Sequence, residues 1–134
     1  MEVKFHHIDE VDESLIKYVV IVSRYMGKWI FCKNRTRKWE LPGGKREEGE
    51  HSINAAKREL YEETGAKNFD IKPVCAYSIN SYGVLFFAEV KELGNIPESE
   101  IEKIDFFEEM PNDLSFPLFH PKHFAKVRES LDFK

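Results

Sequence analysis

The chain reads as an α+β protein, an α/β/α sandwich in which a mixed β-sheet is packed between helices. Three observations predict this. Short β-branched and aromatic runs recur along the chain, as strands require. One segment, Ser52 to Thr64, changes to helical spacing, and a second, Pro121 to Leu131, closes the sequence in the same way. With 134 residues, 42% of them hydrophobic and 33% charged, residues 1–134 form one domain with enough apolar material for a core.

A short strand is expected around Val3 to His6, followed by an acidic connector carrying Asp9, Glu10, Asp12 and Glu13. His6 and His7 are better read as solvated than as metal ligands. Tyr18 to Ser23 contains Val19-Val20-Ile21-Val22, the unbroken apolar run of a central strand covered on both faces. A turn at Tyr25 to Lys28 leads to a second strand, Trp29 to Cys32, forming a hairpin. Lys33, Arg35, Arg37 and Lys38 then make a basic segment in an otherwise acidic chain, suited to guiding phosphate. Trp39 to Gly44 reads as a short strand and a tight turn, with Pro42 and two glycines permitting close backbone approach to a ligand.

In the helix from Ser52 to Thr64, Ile53, Ala56, Leu60 and Thr64 form a narrow core-facing stripe. His51 or Ser52 opens it, and Gly65 stands at the C-terminal cap position. Phe69 to Ile79 is a strand interrupted by Pro73, which predicts an edge or a bend. Asn80 to Gly83 is a loop or turn, Val84 to Val90 an antiparallel partner strand, and Glu92 to Glu102 a further loop. Ile104 to Phe107 is a short strand, and Pro111 to Pro117 a turn-rich connector. Phe124, Val127 and Leu131 give the closing helix its apolar side. Cys32 and Cys75 lie far apart in apolar stretches and read as buried small hydrophobes.

The chemistry is concentrated between Gly44 and Ala66. Here stand Gly44, Glu50, Arg58, Glu59, Glu62, Glu63 and Gly65, a pattern G-x5-E-x7-R-E-apolar-x-E-E-x-G-apolar. Seven such matches arise by chance about once per hundred million start positions at average residue frequencies. On a helix, Glu59, Glu62 and Glu63 fall at i, i+3 and i+4, so their carboxylates gather on one face. That crowding is unfavourable unless a cation compensates it, and hard Mg²⁺ or Mn²⁺ suits an all-oxygen donor set.

This pattern resembles the Nudix box, and the chain is similar to Nudix hydrolases. The resemblance implies the Nudix fold, a divalent metal cofactor (Mg²⁺, with Mn²⁺ an alternative), and water attack on a diphosphate linkage. It implies Glu62 and Glu63 as metal ligands together with the carbonyl of Gly43. Glu59 would be a further ligand or the base that orients the attacking water. Arg58 would hold Glu62 or Glu59 by a salt bridge, and Glu50 would brace the box or reach another metal. Relatives often add a late-loop carboxylate. Glu98, Glu100 and Glu102 are candidates, with Glu100 preferred. Lys33, Arg35, Arg37 and Lys45 are the candidate phosphate-binding cations.

The box entry from Trp39 to Glu50 resembles the nucleoside-triphosphate-cleaving branch that includes MutT and the YtkD-type oxidised-dGTP hydrolases. One departure is visible. Where MutT reads its oxidised purine with an asparagine, alignment on Pro117 places Ser115 or Phe116, and serine lacks the paired donor and acceptor of an amide. Asn112 would serve only with a shifted loop. Tyr77, Tyr82, Phe116 and Phe119 are candidates to stack a base, each worth about 1–3 kcal/mol.

The partner expected is therefore a small nucleotide. The net charge of −4 disfavours a general nucleic-acid binder, an RNA 5′ end aside. No signal peptide or membrane span is evident, so a cytoplasmic protein is expected. Two alternatives accompany the triphosphate reading. One is hydrolysis of another diphosphate (an RNA 5′ end, ADP-ribose or a dinucleoside polyphosphate). The other is a nucleotide-binding sensor without turnover, against which the intact acidic set argues. Oligomeric state is not legible in the sequence.

Overall fold

The architecture follows from how one apolar run, Val19-Val20-Ile21-Val22, must be covered. In the computed structural model, which describes residues 2–97 and 100–132, this run lies in the second strand, β2 (Ile16–Tyr25). Successive strand residues face opposite sides. Val19 and Ile21 pack on one side with Ala55, Ala56 and Leu60 of helix α1 (Ser52–Thr64). Val20 and Val22 pack on the other with Phe124 and Val127 of helix α2 (His120–Asp132). Two cores thus sandwich the sheet, one per face.

The remaining strands are β1 (Lys4–His6), β3 (Lys28–Asn34), β4 (Trp39–Glu40), β5 (Gly43–Lys45), β6 (Ala66–Ile79), β7 (Ser81–Leu93) and β8 (Ile101–Phe107). Their order is β1-β6-β7-β2-β3-β4, with β5 paired to β2 and β8 to β3. β2 runs parallel to β7, while the other pairings are antiparallel, so the sheet is mixed. On its second edge, β2 pairs with β5 from Tyr18 to Val20 and with β3 only at Arg24 and Tyr25. The edge therefore splays, and Gly43-Gly44 enters the gap beside Val19 and Val20.

The β2–β3 hairpin closes with Met26 and Gly27 both at positive φ, 51° and 80°, the backbone of a tight primed turn. Helix α1 begins at Ser52. The His51 side chain caps the Ile53 amide, and Gly65 ends the helix in the left-handed region at φ 78°. The stripe is wider than expected, since Ser52 and Ala55 are also buried while Ile53 is only half-buried. At Pro73 the predicted bend appears as a register shift between Pro73 and Cys75. β6 is not the sheet edge throughout, because β1 covers Ala76 to Ser78.

Of the loop or turn expected over Asn80 to Gly83, the structure has the turn, and it is shorter than expected. Only Asn80, at φ 63°, stands between β6 and β7, because Ser81, Tyr82 and Gly83 already pair with Ile79, Ser78 and Tyr77. The loop from Glu92 to Glu102 is also shorter, since β7 continues to Leu93 and β8 begins at Ile101. Both cysteines are free and buried. No helix among the described residues is long and apolar enough to cross a membrane.

Candidate active site

Helix α1 carries Glu59, Glu62 and Glu63 beside its buried stripe, so their carboxylates emerge where the helix meets the β5 turn. Glu63 reaches across to that turn and accepts the Gly43 N–H at 2.8 Å. The close approach depends on the glycines. A Cβ at Gly43 would strike the Val19 carbonyl, and one at Gly44 would strike the Glu59 carboxylate.

Arg58 organises the outer part of the cluster. Its guanidinium donates to both oxygens of Glu50, at 2.8 and 2.9 Å, to Glu62 at 3.0 Å and to the Lys45 carbonyl at 3.1 Å. Glu59 lies 3.5 Å from the same guanidinium. Two-pronged charge-assisted bonds of this kind are strong and fix geometry. The Arg58 bonds, with the Glu47 amide, hold the Glu50 carboxyl down at about 2.

The inner carboxyls behave differently. Burial pushes Glu63 up to about 8, with the Gly43 amide opposing and Glu59, Glu40 and Glu62 adding repulsion. Burial likewise raises Glu59, Arg58 pulling it down and Glu62 pushing it up. Crowded acids with so little compensating charge form the environment that a divalent cation would stabilise. The donors fit such a cation chemically, being carboxylate and carbonyl oxygens. Their side chains do not converge on one point: among the described residues, no group of three His, Cys, Asp or Glu is arranged to hold a metal. Glu62 is instead bonded to Arg58, and Glu63 to Gly43.

A groove of about 680 Å³ runs over this cluster, lined by Gly43, Arg58, Glu59, Glu62, Glu63 and Glu100 among others. Glu100 thus faces the groove, and its carbonyl accepts the Arg35 amide at 2.8 Å. Glu102 is exposed on β8 and does not line the groove; Glu98 lies outside the described residues. Of the candidate cations, Arg37 reaches the groove, gripping Glu40 at 3.0 and 3.2 Å. Lys33, on β3 opposite Trp39, exposed Arg35 and exposed Lys45 do not line it.

On the far side of the Gly43 turn lies a cavity of about 490 Å³, sharing Arg37, Glu40 and Gly43 with the groove. Tyr77, Phe116 and Phe119 line it. Tyr82 does not, and packs edge-on against His6. Ser115 is committed elsewhere, its hydroxyl accepting the Lys38 amide at 2.8 Å, and Asn112 is exposed outside the cavity lining.

Three lining residues were not expected from the sequence. Glu40 is buried against Arg37. His120 and His123 open helix α2 and are buried, at 6% and 2% exposure. Burial lowers them to about 4 and about 3, so both imidazoles are neutral. Their three-residue spacing on an apolar helix face was the available signal, since paired histidines at core positions are uncommon.

A family model described as NUDIX domain matches residues 9–127. The chain therefore belongs to the Nudix hydrolase family. It is 32% identical over 105 residues to the Bacillus subtilis protein named "Putative 8-oxo-dGTP diphosphatase YtkD", covering 74% of this chain and 66% of that one. The chain thus spans just under two thirds of that relative's length. Among solved structures it resembles the Bacillus subtilis pyrophosphohydrolase BsRppH, with a TM-score of 0.77 and 27% identity over 96% of this chain and 90% of that one. It shares the fold of the NUDIX domain of Shewanella oneidensis NrtR, solved with ADP ribose, with a TM-score of 0.66 and 17% identity over 92% and 95% of the two chains.

Proposed function

We propose that this chain is a divalent-cation-dependent pyrophosphohydrolase acting on a nucleoside triphosphate, with the oxidised guanine nucleotide in the YtkD relative's name as the first candidate. One observation carries the reading. The acidic groove and the aromatic cavity meet at Gly43, Arg37 and Glu40, so a polyphosphate in one would continue into a base in the other.

Glu62, Glu63, Glu59, Glu100 and the Gly43 carbonyl would hold the cation, Mg²⁺ or Mn²⁺. When bound, such a cation neutralises phosphate charge and makes a bound water acidic. Glu59, held between Arg58 and the Gly44 backbone, accepts the proton of the attacking water. A water oxygen–phosphorus bond forms as the bridging phosphorus–oxygen bond breaks, and the leaving phosphate takes the electron pair. Attack at the α-phosphorus gives a nucleoside monophosphate and pyrophosphate. Arg58 is a positioning residue, fixing Glu62 and Glu50. Arg37, at the junction, meets the phosphate chain.

A second reading is hydrolysis of another diphosphate, such as an RNA 5′ end, ADP-ribose or a dinucleoside polyphosphate. The basic segment favours it: Lys33, Arg35 and Lys38 lie outside the groove and cavity linings, where they would suit an anion longer than a single nucleotide. A product screen with Mg²⁺ or Mn²⁺ separates the two. It would run dNTPs, 8-oxo-dGTP, ADP-ribose, diadenosine polyphosphates and 5′-triphosphorylated RNA side by side. Pyrophosphate release from a free nucleoside triphosphate supports the first reading; cleavage only of another substrate, the RNA 5′ end included, selects the second. Silence on all would leave a nucleotide-binding sensor.

A further inference from the structure

The aromatic cavity contains a hydrogen-bond donor whose polarity is set by the backbone. His120 forms part of its wall, with its ring edge-on to Phe116 at 5.3 Å. The Leu41 N–H donates to His120 Nδ1 at 3.1 Å. That bond uses the Nδ1 lone pair, so a neutral imidazole must carry its proton on Nε2. Among the described residues nothing accepts from Nε2. The adjoining ring, His123, stands 5.8 Å away, and neither of its nitrogens has a hydrogen-bond partner.

We propose that His120 selects the base: its Nε2–H donates to the carbonyl at C6 of a purine, so the cavity takes a 6-oxopurine in preference to a 6-aminopurine. This rests on the nucleotide reading above. The argument is one of matching polarity. An amino group presented to Nε2–H sets donor against donor and leaves both unsatisfied, whereas a carbonyl satisfies the N–H. A volume of about 490 Å³ and the rings of Tyr77, Phe116 and Phe119 accommodate a flat bicyclic base. The same contact ties base to chemistry. Leu41 lies two residues before Gly43, whose amide holds Glu63, so the base-reading ring and the acidic helix share one short stretch of backbone.

The test compares kcat/KM for GTP, ITP, ATP and 2-aminopurine riboside triphosphate, all with Mg²⁺. GTP and ITP, which share the C6 carbonyl, should agree within about threefold; ATP and the 2-aminopurine compound, which lack it, should fall at least about tenfold lower, mainly through KM. His120→Asn keeps an acceptor near the Nδ1 position for Leu41 but does not reach the Nε2 position. It should collapse the GTP-over-ATP ratio, with KM for GTP rising more than kcat falls. Equal use of GTP and ATP by the wild type overturns the proposal, as does an unchanged ratio in the variant.

A second measurement needs neither turnover nor a variant. In metal-free protein labelled with ¹⁵N-histidine, guanosine 5′-monophosphate should shift the His120 Nε2–H resonance downfield, and adenosine 5′-monophosphate should not. A shift without cleavage of any nucleoside triphosphate would defeat the triphosphate reading and leave the base selection standing. Cleavage without preference would do the reverse.

Discussion

The two faces of the central sheet bury ionisable groups of opposite kinds, and burial acts on them in opposite directions. Beneath helix α1, acids gain protons: Glu63 is raised to about 8. Beneath helix α2, bases lose them: His120 and His123 fall to about 4 and 3. Each group moves towards its neutral form because a low-dielectric surrounding penalises charge of either sign. The faces differ in what would restore the charge. On the α1 face, a divalent cation would return the carboxyls to their ionised state. On the α2 face, among the described residues, Arg37 and Glu40 neutralise one another and leave the imidazoles without a counter-charge. The proposed phosphate and metal site therefore lies on one face, and the proposed base site on the other.

The sharpest way to break this contrast is at the acids. Glu63→Gln or Glu62→Gln should lower turnover by about 10²–10⁴-fold while circular dichroism reports an intact fold. Near-normal activity in either variant would refute the metal-site assignment. Gly44→Ala comes next. Its Cβ would displace the Glu59 carboxylate, and activity should drop about 10–100-fold, largely in kcat. Wild-type kinetics there would mean that the position of Glu59 is not critical.

The opposed protonation of the faces gives a test of stability. Without metal, between about pH 6.5 and 8, Glu63 in the folded chain keeps a proton that an unfolded carboxyl, with its ordinary value of 4.5, has released. The folded state binds more protons, so stability falls as pH rises through this window. Below pH 6.5 the histidines oppose this slope, while Glu59, also raised by burial, adds to it. Unfolded imidazoles take up protons that buried His120 and His123 refuse, so their contribution grows with pH. In EDTA, Tm should therefore decline by about 5 °C from pH 6.5 to 8, and Glu63→Gln should flatten most of that slope. A wild-type Tm that rises across the window would contradict the buried-acid picture.

The smallest effect belongs to the basic segment. Neutralising Lys33, Arg35 and Lys38 should raise KM about two- to fivefold, more than it lowers kcat, and the difference should shrink in high salt. Arg37→Ala should exceed it, because Arg37 alone of these cations lines both groove and cavity and lies over the Phe116 ring.

Much of the α1 face was legible in the sequence because it is local. The spacing of Glu59, Glu62 and Glu63 becomes a shared face once the segment is helical, and the bounds Ser52 to Thr64 were readable from apolar periodicity and the Gly65 cap. Arg58 was expected to hold Glu62 or Glu59, and it does hold Glu62. Its two-pronged grip on Glu50 spans eight positions and a turn, so nothing in helical spacing announced it. The α2 face was less readable. Phe116 and Phe119 were named as stacking candidates without a wall to place them in, and Tyr82 proved to face His6 instead.

The sequence by itself determined the strands and helices as kinds, the acidic helix face and the glycine turn beside it. Each follows from residues close together in the chain. Tertiary structure alone decided the parallel pairing of β2 with β7, the entry of Gly43-Gly44 into the splayed edge of β2, and the meeting of groove and cavity there. It also decided the polarity of His120, because Leu41, seventy-nine positions away, supplies the amide that assigns the proton to Nε2. Such contacts depend on which segments the two cores bring together, and packing across a sheet leaves no trace in local spacing.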